Sequence, residues 1–182
     1  MSMRAAEILG FDTYDREGIC NVVIETPRGS RNKFKYDVRK QLFFLRHILP
    51  VGACFPFDFG FLPSTKAADG DPLDILVLMD APTYTGCLVH TRLIGIIEAD
   101  QTQDGKTERN DRLIGVAVES REHRDLEHIS DINENVRADI EHFFVSYNIA
   151  RGREFKVLGT FGPEKAMEAV RRSMELYHKG GK

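Results

Sequence analysis

Short runs of β-branched and aromatic residues, separated by Gly, Pro and Asp/Asn clusters, dominate the chain up to about residue 130. They fall at Asn21 to Glu25, Phe34 to Val38, Leu42 to Phe44, Ile75 to Met79, Val89 to Ile97 and Leu113 to Glu119, and each predicts a strand. Six short strands with no helical pattern between them imply a curled sheet or a small barrel. The period then changes. Ile132, Val136, Ile140, Phe143 and Tyr147 step by three or four residues, with Asp131 and Glu134 as a start signal, which predicts an amphipathic helix. Gly152 to Phe161 return to strand, and Pro163 opens a second helix with Met167, Val170, Met174 and Tyr177 on one face, stopped by Gly180 and Gly181. The fold class expected is α+β, mainly β, with two C-terminal α-helices against a β core. No repeat or linker divides the sequence, so residues 1–182 read as a single domain.

Composition sharpens this picture in a few respects. The chain sets 25 Lys+Arg against 28 Asp+Glu for a formal charge of -3, which argues against a protein dedicated to coating a polyanion. Local basic clusters remain compatible with small anions. Cys20, Cys54 and Cys87 match neither a disulfide framework nor a CxxC metal site, so a reducing cytoplasm is expected. Charge appears within the first few residues and no run of eighteen apolar residues occurs, so neither secretion nor membrane insertion is expected.

Two polar segments are wrong for mere connection. Ser64 to Pro72 feeds straight into the strand at Ile75, and Asp100 to Arg112 joins two strands with Asp104-Gly105 as a turn signal. The sharpest feature is DGDPLD, which crowds Asp69, Asp71 and Asp74 into residues 69–74. Carboxylates so placed repel one another unless a cation or full solvation compensates. Oxygen ligands suit magnesium, manganese or calcium rather than zinc. An EF-hand loop fails, because Leu73, Asp74 and Asp80 occupy positions where that pattern wants Asp or Asn, Gly and Glu. An acidic turn capped by its own side chains is the plain structural reading of the same residues. The histidines show no HExxH, and His123 and His128 are five apart.

A basic stretch from Pro27 to Lys40 holds Arg28, Arg31, Lys33, Lys35, Arg39 and Lys40. As a strand it would place Lys33, Lys35 and Asp37 on one face and Phe34, Tyr36 and Val38 on the other. Most of these bases read as an ordinary solvated hairpin. Glu25 beside them reads as a surface acid or a metal-facing one. In CFPFDFGFLP, Phe55, Phe57, Phe59 and Phe61 alternate, but Pro56 and Gly60 interrupt strand geometry, and burial in a core is favoured over base stacking. Acids that hold metal beside isolated Lys and Arg point to a small, highly charged phosphate ester or anhydride as substrate.

Taken together, these residues resemble the soluble family I inorganic pyrophosphatases. DGDPLD is that family's signature; VVIETP, FKYD, FPFDFGF and HFFVSY match its surroundings, from about Cys20 to the second helix. The resemblance implies a small closed OB-like β-barrel flanked by helices, and hydrolysis of pyrophosphate with several Mg2+ ions, Mn2+ being a substitute. It also implies a homo-oligomer, with a hexamer the form expected from bacterial members. By position, Asp69 and Asp74 correspond to metal ligands, and Asp71 to a metal-site acid that is also the general base. Glu25 corresponds to an acid near the substrate-borne metals, Lys35 and Arg46 to phosphate clamps, Tyr147 to a phosphate-bonding tyrosine, and Asp100 to a further metal ligand. Arg112 stands where the family commonly has a phosphate-binding Lys. Asp71, Arg46 and Tyr147 are thus the expected catalytic group.

Some positions depart from the family. The usual metal-binding Asp falls on Asn110, leaving Asp111 next door, or Asp104 in the longer loop, to supply its charge; Asp111 is the candidate ligand. A Lys common after the helix tyrosine is Asn148, a tyrosine is Phe59, and a glutamate is shortened to Asp37. Arg151 or Arg153 would offset the charge lost at Asn148. The alternative from another class is an OB-like single-stranded nucleic-acid-binding module using Arg28 to Lys40 and the Phe-rich segment. A third reading makes DGDPLD a purely structural calcium site.

Overall fold

Val22, Val23 and Ile24 are all buried on one strand, β1 (Cys20–Thr26), which therefore has protein on both faces. Protein also lies along both edges. The remaining strands in the computed structural model, which describes residues 8–180, are β2 (Asn32–Asp37), β3 (Leu42–Ile48), β4 (Asp58–Phe61), β5 (Asp74–Leu78), β6 (Leu88–Gln103), β7 (Lys106–Arg109), β8 (Arg112–Ala117) and β9 (Glu154–Phe161). Helix α1 (Glu134–Ile149) precedes β9, and α2 (Pro163–Gly180) follows it. The charge read near the N-terminus and the helix stop at Gly181 lie outside the described residues.

β1 pairs antiparallel with both β4 and β6, and the order β1-β4-β5-β8-β6 then returns to β1. This ring of strands, with helices on either side, is the OB-like α+β architecture expected. Within it β5 and β8 run parallel, while β9 and β7 extend the sheet from β6, and β2 and β3 form a separate hairpin. Alternation sorts the core. Leu76 and Leu78 of β5 join Ile114, Val116, Ile140 and Phe144, under α1; Ile75 and Val77 join Leu113, Ala166, Ala169 and Val170, under α2. Among the described residues no helix is long and apolar enough to cross a membrane.

Several boundaries differ from the expectation for identifiable reasons. The Phe-rich run does contain a strand, β4, and all four phenylalanines are buried. It tolerates Gly60 because a Cβ there would lie 2.2 Å from the Val23 carbonyl oxygen; the glycine is what lets β4 approach β1. Burial also removes the stacking platform that the nucleic-acid alternative needs. The polar segment from Asp100 is a β6–β7 hairpin rather than a loop. Its turn places Asp104 and Gly105 at φ 52° and 77°, as a two-residue turn of the primed type demands. The helix begins after Asn133, whose side chain accepts from the Asn135 amide, while Asp131 ends a short 3-10 turn.

Gly60→Ala tests the close approach of β4 to β1. Overpacking against backbone should cost about 1–3 kcal/mol, read as a lower urea midpoint with unchanged slope; an unchanged midpoint would contradict it.

Candidate active site

The signature acids sit on a turn that runs into β5. The Asp71 amide donates to Asp69 Oδ1 at 3.1 Å, and the Asp71 carbonyl accepts from the Ala67 amide at 2.7 Å, so the backbone fixes where both side chains leave the turn. Asp74 is the first residue of β5. Because β5 pairs in parallel with β8 at Ile75↔Leu113, the residues one step earlier, Asp74 and Arg112, meet at the same strand ends. Arg112 Nη1 lies 3.0 Å from Asp74 Oδ2, and Arg112 is buried. Burial, opposed by Arg112 and Lys33 and reinforced by Glu25 and Asp69, pushes the Asp74 carboxyl up to about 6.

A second pair lies between β1 and β2. Glu25 and Lys33 are both buried, with Nζ to Oε2 at 2.8 Å, and the other Glu25 oxygen accepts from the Tyr36 amide at 3.0 Å. The Lys33 ammonium also stands 3.9 Å over the Phe59 ring. Burial lowers the Lys33 pKa, and the Glu25 charge opposes that shift. Lys33 is thus a buried site residue where the sequence reads most of these bases as solvated; it lines the cleft with Lys35, while Asp37 accepts from the Arg39 and Lys40 amides. The third pair joins hairpin to signature. Lys35 Nζ lies 2.5 Å from Asp71 Oδ2, with both groups partly open to solvent.

These residues line one cleft of about 290 Å³, together with Arg46 and His47 from β3, Tyr147 from α1, Gln101, Asn110, Arg151 and Arg153. The Tyr147 hydroxyl accepts from Arg151 Nη1 at 3.1 Å, which leaves its own proton free to donate. Burial raises the Tyr147 pKa, so the phenol keeps that proton. Burial and then the neighbouring Arg151, Lys33, Arg46 and Arg153 pull His47 down to about 4, making it a neutral wall residue above that pH.

Of the expected site residues, Glu25, Lys35, Arg46, Asp69, Asp71, Asp74, Arg112 and Tyr147 line this cleft, and Asp100 and Asp111 do not. Adjacent strand residues face opposite ways, and on β6 it is Gln101 that lines the cleft, not Asp100. The Asp111 carboxylate accepts from the Ala99 amide at 3.0 Å and pairs with Arg109 at 2.5 Å. It lines a different cavity, of about 490 Å³, beside Glu98 and Lys66. Asp104 is taken up in the hairpin turn. The position itself, Asn110, stays in the cleft as an amide. Asn148 is buried, its Nδ2 donating to the Phe144 carbonyl at 2.9 Å, and it does not reach the cleft. Gln101 had no signal in the sequence beyond its place beside Asp100.

The donor set fits a hard divalent cation by type: Asp69, Asp71, Asp74 and Glu25 bring only carboxylate oxygens to the cleft. Asp71, Asp74 and Glu25 each lean on a Lys or Arg, and among the described residues no group of three or more acids, His or Cys is gathered as a ready metal cage. Chemically the cleft offers carboxylates to a cation and guanidinium, ammonium and phenol donors to an anion.

Comparison with known proteins agrees with this chemistry. Residues 22–178 match the family model described as inorganic pyrophosphatase. The chain is 36% identical over 162 residues to the inorganic pyrophosphatase of Thermus thermophilus, covering 87% of this chain and 90% of that one. It is 34% identical over 161 residues to that of Geobacillus stearothermophilus, covering 88% and 95%. A crystal structure of the Thermus thermophilus protein superposes with a TM-score of 0.86 at 33% identity, over 95% of this chain and 99% of that chain. An inorganic pyrophosphatase structure from Neisseria gonorrhoeae superposes at 0.83 and 30% identity, over 94% and 98%. With these acids and bases already sharing a cleft, a match of this extent shows that the chain belongs to the inorganic pyrophosphatase family.

Proposed function

We propose that the chain hydrolyses inorganic pyrophosphate to two phosphates in a magnesium-dependent reaction, with Asp69, Asp71 and Asp74 holding the metal. The observation that carries this reading is the meeting in one cleft of the signature acids with Lys35, Arg46, Arg112 and Tyr147. Bound Mg2+ supplies Lewis-acid charge neutralisation and acidifies water. The chain's own residues do the rest. Asp71, the most open of the paired acids, takes the proton of the attacking water, and Lys35 beside it steadies the carboxylate and holds a phosphate oxygen. Arg46 and the Tyr147 hydroxyl donate to the phosphate that leaves, whose charge grows as the bridging bond breaks. Arg112 is already oriented by Asp74 and by the Asn110 side chain, and turns its remaining donors to the same group. No covalent nucleophile is needed, because positioning and charge neutralisation supply the catalysis.

Asp71→Asn keeps the shape of the turn but removes the base. Its kcat for pyrophosphate should fall by about 10²–10⁴ with KM changed far less; a variant that keeps the parent kcat would remove Asp71 from the role of base. The pH dependence follows from Asp74. With its folded-state carboxyl near pH 6, a proton occupies Asp74 at pH values where an ordinary Asp is already ionised, and a metal has to displace it. Titration calorimetry should show magnesium affinity flat above about pH 7 and falling, by up to about tenfold per unit, below about pH 6. An affinity constant down to pH 4.5 would mean Asp74 does not hold the metal.

A further inference from the structure

The wall facing the signature acids is neutral and cationic. Asn110 Nδ2 donates to Gln101 Oε1 at 3.0 Å, and Asn110 Oδ1 accepts from Arg112 Nη1. An amide oxygen with a guanidinium on it offers a divalent cation neither charge nor a free approach. Next to this network stand Arg46, Arg151 and Arg153, which form no ion pair with an acid among the described residues. Arg151 and Arg153 are held by design of the chain turn: both backbone amides donate to the Asn148 carbonyl, at 2.9 and 3.0 Å, around Gly152 at φ 69°. The buried Arg153 Nε has no hydrogen-bond partner. Burial, with Arg151 and Arg46 close by, also lowers the Arg153 pKa, while Tyr147 and Asp104 oppose that shift. Such a cluster is stabilised by a bound anion and by little else.

We propose that Arg151 and Arg153, together with Arg46, form a metal-independent phosphate subsite. The proposal rests on the pyrophosphatase reading and names how one end of the substrate is held. Arg151 also donates to Tyr147, so the subsite and the phenol act on the same phosphate group.

Calorimetric titration of the purified chain with inorganic pyrophosphate in excess EDTA tests this directly. Saturable binding is expected, at least tenfold weaker in the double variant R151Q/R153Q and largely kept in R151K/R153K, which retains the charge and controls for folding. Absence of pyrophosphate binding in EDTA, or binding unaffected by R151Q/R153Q, would overturn the subsite. Hydrolysis with Mg2+ is scored separately: turnover in the parent without binding in EDTA rejects the subsite alone, while binding in EDTA without turnover keeps it and rejects the catalytic reading.

Discussion

Acids and bases share one cleft, and neither can be taken from water without the other. Four carboxylates face six Lys and Arg side chains there, and three of the acids are already paired. The fold makes each pairing by a different route. Parallel register of β5 and β8 brings Asp74 to Arg112; β2 lying over β1 brings Lys33 to Glu25; the signature turn brings Asp71 to Lys35. The ring fixes the first pair by strand register, while the separate β2–β3 hairpin and the hydrogen-bonded signature turn bring in the other two.

What pairing leaves over gives the cleft its direction. Asp69 remains without an ion-pair partner among the described residues on the acidic side, and Arg46, Arg151 and Arg153 remain on the other. A phosphoanhydride is polarised in its transition state, with the attacked phosphorus needing an activated water and the leaving phosphate needing positive charge. An unequal cleft meets both needs in one place. The amide pair Gln101 and Asn110 deepens the inequality, because it puts no negative charge between signature and arginines.

Much of this was legible along the chain, for physical reasons. Alternating apolar strands and a change to a period near 3.6 are local signals, and they marked seven strands and both helices. DGDPLD was legible because close carboxylates demand an explanation from electrostatics alone. What was not legible depends on three-dimensional placement. β4 was hidden because its strand needs a glycine at the β1 contact, and β7 because a polar hairpin looks like a loop. Lys33 looked like surface, yet it is buried against Glu25 and Phe59, a placement that only the packing of β2 on β1 reveals. Asp100 and Asp111 carry charge in the right stretch of sequence, yet strand alternation and Arg109 take them elsewhere, and Gln101 and Asn110 stand in the cleft.

The claim on which everything else turns is that this cleft hydrolyses pyrophosphate. Following the purified chain with pyrophosphate and Mg2+ by phosphorus NMR measures it without coupling enzymes. The pyrophosphate signal should convert to that of orthophosphate at a rate proportional to protein, and EDTA should stop the conversion. A pyrophosphate signal that persists unchanged at saturating Mg2+ and neutral pH would contradict it.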